Sequence, residues 1–310
     1  MKTIRVGWRS LGSAPSTVRL REQLEYRYCL NAHKNDCARA KCARNNLRSV
    51  HENDCQNPLR PWSGCAGGCP RSSGADVKPT VVLVHGAFAD GSSWNGVIAK
   101  LKKDGYPVIA VANPLRGVKS DGDYVRRIVA GLDQPVVLVG HSYGGHVISD
   151  AASPKGNVKA LVFVSAFAPE KGESAAALSG KFPGSTLAPT LGVPVSLESG
   201  TKDLYIQQDK FHEQFAADVP AKEAALMAAA QRPVTEAALN EPASHEAWKD
   251  IPSWFVYGSA DKNIPPKALG WMAERAKSKE TVVVQGASHV VMVSHPEKVA
   301  KIIEDAANSN

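Results

Sequence analysis

The chain has 310 residues, 43% of them apolar and 22% charged, a composition typical of water-soluble globular proteins and a length sufficient for one large α/β domain. It contains no run of 18 or more apolar residues, so the sequence predicts no membrane-spanning helix. The net charge is +7, but residues 1–75 carry 13 Lys and Arg against 5 Asp and Glu, which leaves the remainder at −1. The basic charge therefore indicates no nucleic-acid surface beyond residue 75.

Residues 1–75 differ in composition and in apolar pattern from the rest of the chain. They contain all six cysteines and show no sustained apolar period, so we interpret them as disordered or as a garbled export signal. The Cys37-x4-Cys42 and Cys65-x3-Cys69 spacings are loose for zinc, and no metal site is predicted. A disulfide framework and a basic nucleic-acid arm are weaker alternatives for this segment. The cysteines are Cys29, Cys37, Cys42, Cys55, Cys65 and Cys69.

The location of the protein in the cell depends on how its N-terminus is interpreted. MKTIR is typical of the charged start of a signal peptide, but Arg9 and polar residues follow where an apolar core should lie. Gly74–Pro79, by contrast, is typical of the start of a mature secreted domain. We expect residues 76–310 to be one domain, exported to the periplasm or medium in its native form, or cytoplasmic if residues 1–75 belong to the native protein.

From residue 79 onward, short β-branched tracts alternate with helical periodicity. Strands that alternate with helices predict an α/β fold with a six-stranded, mostly parallel, doubly wound sheet. Two of the helices are predicted to begin at capping boxes, one at Ser120 and one at Ser294. The predicted strands are Thr80–His85, Pro107–Ala112, Val136–Gly140, Val158–Ser165, Ser253–Gly258 and Thr281–Gly286.

The interval from about residue 167 to 248 interrupts this alternation. It holds a Gly/Pro/Ser-rich piece and two alanine-rich helical stretches, around Asp203–Ala217 and Ala221–Ala230. A structureless loop of this length would be unusual in a compact domain. We therefore predict a helical cap inserted into the domain and covering the sheet.

Gly140-His141-Ser142-Tyr143-Gly144 matches the G-x-S-x-G pattern of a nucleophile elbow. The alternative is a serine that only caps the following helix. A buried parallel strand before Ser142 and a helix after it favour the elbow, because that turn presents the serine at the helix N-terminus, where an oxyanion is stabilised. Ser142 is therefore the candidate nucleophile.

A serine needs a base to remove its proton, and after an elbow of this kind the acid and then the histidine follow in loops after late strands. Asp261 follows the strand SWFVYG, and His289 follows TVVVQG. Both positions are carboxyl ends of strands, where open α/β sheets build their sites. His141, next to the serine, is interpreted as structural. The oxyanion donors are predicted to be the backbone N–H groups of Ala87, after the first strand, and Tyr143.

Together, VLVHGAFADGSSW, LVGHSYGG, the strand-linked Asp261 and GASHVVM resemble the α/β-hydrolase superfamily over roughly residues 79–308. Within it, the sequence is most similar to small bacterial esterases akin to the plant methylesterase and hydroxynitrile lyase group. The resemblance implies a six-stranded core with a helical cap and ester hydrolysis through an acyl-enzyme. Lyases of this group usually carry threonine and lysine where this chain has Gly86 and Val290, which favours hydrolysis over cyanohydrin cleavage.

The prediction is thus a carboxylesterase-type serine hydrolase that cleaves small to medium hydrophobic esters, with a small-molecule substrate and neither cofactor nor metal. The oligomeric state is left open. The alternatives are a cofactor-free haloperoxidase or perhydrolase, a hydroxynitrile-lyase-like enzyme, and a non-catalytic small-molecule receptor. Four aromatic side chains are predicted to line the substrate pocket: Phe88, Phe167, Phe211 and Phe215.

Overall fold

The computed structural model describes residues 77–309, so the predictions for residues 1–75 lie outside the described part of the chain. Its strands are β1 (Thr80–Val84), β2 (Val108–Val111), β3 (Val136–His141), β4 (Val158–Val164), β5 (Val195–Ser196), β6 (Lys202–Leu204), β7 (Val234–Thr235), β8 (Ser253–Gly258) and β9 (Thr281–Val284). Its helices are α1 (Asn95–Lys103), α2 (Val118–Ala130), α3 (Tyr143–Ala151), α4 (Ala175–Gly180), α5 (Gln208–Phe215), α6 (Ala221–Ala230), α7 (Glu236–Asn240), α8 (Pro266–Arg275), α9 (Val291–Ser294) and α10 (Pro296–Asn308).

The main sheet has six strands in the order β2-β1-β3-β4-β8-β9, and every neighbouring pair is parallel. β1, β3 and β8 are buried along their whole length, as expected for strands covered on both faces. The six predicted strands are confirmed, with ends that differ by at most two residues. The α/β class is confirmed with them.

The strand order determines which face of the sheet the first helices cover. The chain steps from β1 to β2 in one direction and then from β2 past β1 to β3 in the other, so right-handed crossovers put α1 and α2 on opposite faces. α10 packs on α1 and along β4 and β8, whereas α2 packs on α3. The buried face predicted for the last helix is confirmed, since Val299, Ile302, Ile303 and Ala306 are at most 1% exposed.

The interval between β4 and β8 forms the predicted insertion, with α4 to α7 inside it. It also contains a small antiparallel sheet, β5-β6-β7, which the sequence did not indicate. Its strands have only two or three residues, too few to produce a readable alternation. Backbone hydrogen bonds join the insertion to the loops of the main sheet, from Phe88 N to Arg232 O at 3.0 Å and from Thr235 N to Leu115 O at 3.1 Å.

The two predicted capping boxes are wrong. α2 begins at Val118, two residues before Ser120, and the Glu241 carboxylate from the insertion accepts from the N–H groups of Val118 and Lys119, at 2.7 and 3.1 Å. Ser294 lies in the last turn of α9, and α10 starts after His295 without a side-chain cap. In residues 77–309, no helix is long and apolar enough to cross a bilayer.

Candidate functional site

Ser142 occupies a tight turn between β3 and α3, with φ 54° and ψ −121°. A non-glycine residue in that region is strained and persists only where its surroundings hold it. The Ser142 N–H donates to Val164 O at 3.2 Å, and its carbonyl accepts from the N–H groups of Gly145 and Phe167. The turn also requires Gly144, because a β-carbon there would lie 2.3 Å from Val84 O. The geometry is that of a nucleophile elbow.

Asp261 and His289 are brought together from the loops after β8 and β9. His289 Nδ1 lies 2.7 Å from Asp261 Oδ2, and both side chains are fully buried. The other carboxylate oxygen of Asp261 accepts from the N–H groups of Asn263 and Ile264, at 2.8 and 3.0 Å. With the carboxylate held at both oxygens, His289 carries its proton on Nδ1 and leaves Nε2 as the basic nitrogen. Nε2 is buried and has no hydrogen-bond partner among the described residues.

His141 contacts the backbone of the loop that carries His289, and it does not take the place of the His289 side chain beside Asp261. Its Nε2 lies 3.2 Å from the carbonyl oxygen of His289, and the two rings are 4.8 Å apart. Burial, together with the neighbouring His289, holds the pKa of His141 well below its ordinary value, so this imidazole is neutral and donates from Nε2. The structural interpretation of His141 is consistent with this contact.

Ala87 and Tyr143, the two predicted oxyanion donors, both line the cavity at Ser142. Tyr143 is the first residue of α3, so its N–H has no acceptor within the helix. Among the described residues, Ala87 N–H donates to no protein acceptor, whereas the next amide, that of Phe88, is already bonded to Arg232 O. Of the two neighbouring loop amides, Ala87 is therefore the one available to a ligand.

The Tyr143 side chain is anchored by Asp121 of α2. Its hydroxyl donates to Asp121 Oδ2 at 3.0 Å, and Asp121 also accepts from the Arg116 N–H. Burial raises the pKa of Asp121, against the lowering effect of the hydrogen bonds that it accepts. Burial and the Asp121 carboxylate raise the pKa of Tyr143. The sequence offered no signal for this pair, since Asp121 lies in the first turn of another helix.

A cavity of about 330 Å³ opens at Ser142. Phe88 and Phe167 lie on its wall, as predicted. Phe211 and Phe215 are a correction to the predicted pocket: neither lines the cavity, both are fully buried, and the Phe215 ring packs 5.2 Å from the ring of His289. Phe215 therefore packs against the histidine, and Phe211 packs against Phe215, with ring centroids 4.9 Å apart.

Most of the wall was not predicted. Apart from Asn263, its unforeseen residues are small or aliphatic, and such residues give no distinctive sequence signal because they are also common in a packed core. Leu187 and Leu191 could be anticipated only as general apolar cap residues. The unforeseen wall residues are Ala175, Ala176, Ser179, Gly180, Ser185, Ala188, Leu239, Asn263 and Ile264. Within residues 77–309, no group of three or more His, Cys, Asp or Glu side chains is placed to hold a metal ion.

The chain is similar in sequence to a known protein family and to several known proteins. The model of the alpha/beta hydrolase family matches residues 81–302. An α-hydroxynitrile lyase from Arabidopsis thaliana is 26% identical over 251 residues, which cover 72% of this chain and 94% of that protein. A pimeloyl-[acyl-carrier protein] methyl ester esterase from Neisseria meningitidis serogroup B is 27% identical over 255 residues, covering 76% of this chain and 95% of that protein.

A solved structure shares the same architecture. The crystal structure of polyneuridine aldehyde esterase superimposes with a TM-score of 0.65 at 19% sequence identity, covering 74% of this chain and all of that one. The likeness is one of fold.

Proposed function

The chain belongs to the alpha/beta hydrolase family, and from this premise we propose that it is a serine hydrolase that cleaves small to medium hydrophobic carboxylic esters through an acyl-enzyme. Esterase and hydrolase activity is characteristic of the family, and the sequence is similar to the plant methylesterase group. Three features at the carboxyl edge of the sheet support the proposal: Ser142 in its strained turn after β3, the buried Asp261–His289 pair at 2.7 Å, and the apolar cavity that Ser142 lines.

In the proposed mechanism, the Ser142 hydroxyl attacks the ester carbonyl carbon while His289 Nε2 takes its proton. The resulting imidazolium is stabilised by the Asp261 carboxylate 2.7 Å from Nδ1, which also holds the ring in the productive orientation. His289 then returns the proton to the leaving alkoxide, and the acyl group stays on Ser142. Water repeats the same steps and releases the carboxylic acid.

The negative charge that develops on the carbonyl oxygen would be stabilised by the N–H groups of Ala87 and Tyr143. Each such donor contributes roughly 3 kcal/mol to transition-state stabilisation when it is held in place before the reaction. The Tyr143 donor lies at the N-terminus of α3, where the helix dipole favours negative charge. Its anchored side chain and the hydrogen-bonded turn at Ser142 support this pre-organisation.

Replacement of the nucleophile tests the proposal. We expect Ser142→Ala to lower kcat for a p-nitrophenyl ester by about 10^4-fold or more, because no other hydroxyl would form the acyl-enzyme. Ser149→Ala is the matched control: Ser149 lies in α3, the helix that follows Ser142, and its hydroxyl donates to Gly145 O, so its loss should leave kcat within about twofold. Full activity in Ser142→Ala would refute the mechanism, and a burst of nitrophenol in the native chain separates an enzyme from a small-molecule receptor.

Hydroxynitrile lyase activity is the second candidate, favoured by the similarity to the Arabidopsis thaliana enzyme. Gly86 and Val290 stand at the positions where such lyases usually carry threonine and lysine, and they weaken this candidate. Release of benzaldehyde from mandelonitrile, compared with release of acid from an ester of similar size, measures the two activities side by side. We expect ester hydrolysis to dominate.

A further inference from the structure

The residues that line the cavity at Ser142 differ in burial between its inner end, here called the floor, and its outer end, here called the rim. The floor residues Phe88, Tyr143 and Phe167 are at most 6% exposed, so the inner end is closed by buried aromatic side chains. At the outer end the wall is formed by exposed residues with small side chains. These rim residues are Ala176, Gly180, Ser185 and Ala188.

The rim residues come from two separate parts of the insertion. Ala176 and Gly180 lie on α4, whereas Ala188 lies in the 3-10 turn Ala188–Thr190. A β-carbon at Gly180 would meet no atom within 4 Å, so the space beside α4 is open. Because no rim side chain is larger than serine, the mouth stays wide where longer side chains would narrow it.

Charge and volume restrict what can occupy this space. None of the residues that line the cavity carries a charged side chain, so an ionised group inside would lack a partner and its burial would be costly. The volume of about 330 Å³ is roughly twice the ~150 Å³ of an engineered protein cavity that holds benzene. The space therefore matches an uncharged apolar group about the size of two fused rings.

We propose that the substrate is an ester with a bulky, uncharged, bicyclic-sized apolar group, and that the rim residues Ala176 and Ala188 determine this specificity. The inference rests on the proposed ester hydrolysis and adds the shape of the group held in the cavity. A phenylalanine at either rim position narrows the mouth without touching Ser142, Asp261 or His289. Such a change discriminates against a broad group while a slender ester still reaches the serine.

The test uses three esters with the full-length chain: methyl 2-naphthylacetate, 2-naphthylmethyl acetate and, as the slender reference, methyl butanoate. Acid release is followed by titration at constant pH. The first two esters place the bicyclic group in the acyl and in the alcohol part, respectively. We expect kcat/KM for one or both naphthyl esters to exceed that for methyl butanoate by at least about tenfold, as expected when apolar surface is buried in a matching pocket.

Substitutions at Ala176 and Ala177 provide a test variant and its matched control. Ala176 and Ala177 are neighbours on α4 and both are exposed, but only Ala176 lines the cavity. We expect Ala176→Phe to lower kcat/KM for the preferred naphthyl ester by about tenfold or more and to change methyl butanoate less than about twofold. Ala177→Phe should leave both values unchanged, and Ala188→Phe should reproduce the effect of Ala176→Phe from the other side of the rim.

The outcomes separate this inference from the proposed function. If the esters are hydrolysed but Ala176→Phe and Ala188→Phe affect bulky and slender esters equally, or no more than Ala177→Phe does, the inference fails and ester hydrolysis stands. If no ester is hydrolysed, the binding of 2-naphthylacetamide, measured by calorimetry, tests the cavity assignment. Weaker binding in Ala176→Phe than in Ala177→Phe then supports the cavity assignment, while the proposed ester hydrolysis fails. Absence of binding in all forms, without hydrolysis, overturns both.

Discussion

At Gly86, the loop after the first strand lies so close to the elbow that a side chain would not fit. A β-carbon at this position would lie 2.7 Å from His141 O and 2.7 Å from Ser142 Cβ, distances that real side chains do not adopt. The first-strand loop can therefore approach the serine only with glycine here. The position of the Ala87 N–H, the proposed oxyanion donor, depends on that approach.

We predict that Gly86→Ala lowers kcat by about 10^2-fold, because the loop and the elbow must separate and a displaced donor loses most of its effect on the transition state. Gly91→Ala is the control, since a β-carbon there would have Ala110 Cβ at 3.9 Å, an ordinary contact. Steady-state kinetics with a p-nitrophenyl ester measures both, and urea unfolding verifies that each variant is folded. A folded Gly86→Ala protein with unchanged kcat would contradict the prediction.

Individual site residues differed in how far the sequence could predict them. Ser142, Asp261 and His289 could be proposed as candidates because each follows a readable strand, and parallel strands bring their carboxyl ends to one edge of the sheet. Phe211 and Phe215 were assigned to the pocket on composition alone. In an apolar insertion, composition does not tell which aromatic ring faces the cavity and which packs against its neighbours, here Phe215 against His289.

At the scale of elements, α2 depends on a contact made far along the chain. Its first two N–H groups donate to the Glu241 carboxylate, which belongs to the insertion 123 residues after Val118. Local sequence indicated a start at Ser120, since a capping box is a local pattern. The observed start is set by a tertiary contact that no local pattern contains, and it holds the end of α2 that carries Asp121.

We predict that Glu241→Ala lowers the free energy of unfolding by about 1 kcal/mol, the usual cost of losing a side-chain cap at a helix N-terminus. Glu198→Ala serves as the control, because Glu198 is exposed and forms no ion pair within the described residues. Urea titrations at neutral pH give both values. Equal stability of the two variants would mean that water replaces the Glu241 cap without loss.

At the scale of the whole molecule, buried neutral histidines link stability to pH. His146 in α3 is fully buried, and neither of its ring nitrogens has a hydrogen-bond partner among the described residues. Burial lowers the pKa of His146 from 6.5 to about 4, with Glu173 acting weakly in the opposite direction. Below pH 6.5 the unfolded chain therefore binds a proton that the native state does not, so stability falls as the pH falls towards 4.

We predict that this one group lowers the free energy of unfolding by about 2 kcal/mol between pH 7 and pH 5. His146→Met removes the titrating group, so the loss of stability over the same interval should be smaller by about that amount. Urea unfolding of both proteins at the two pH values provides the measurement, with His85 and His141 present in each. Identical pH dependence in the two proteins would contradict the prediction, because it would mean that the pKa of His146 is the same in the folded and the unfolded chain.

The sequence by itself determined the α/β sheet, the six strands, the helical insertion and the candidate nucleophile, acid and base. These features depend on short-range patterns: β-branched tracts, helical periodicity and polar residues at strand ends. Only the tertiary structure decided the start of α2, the Tyr143–Asp121 anchor, the antiparallel sheet of the insertion and the wall of the cavity. Each of these depends on which distant side chains meet, and contacts between residues far apart in the chain leave no local pattern to read.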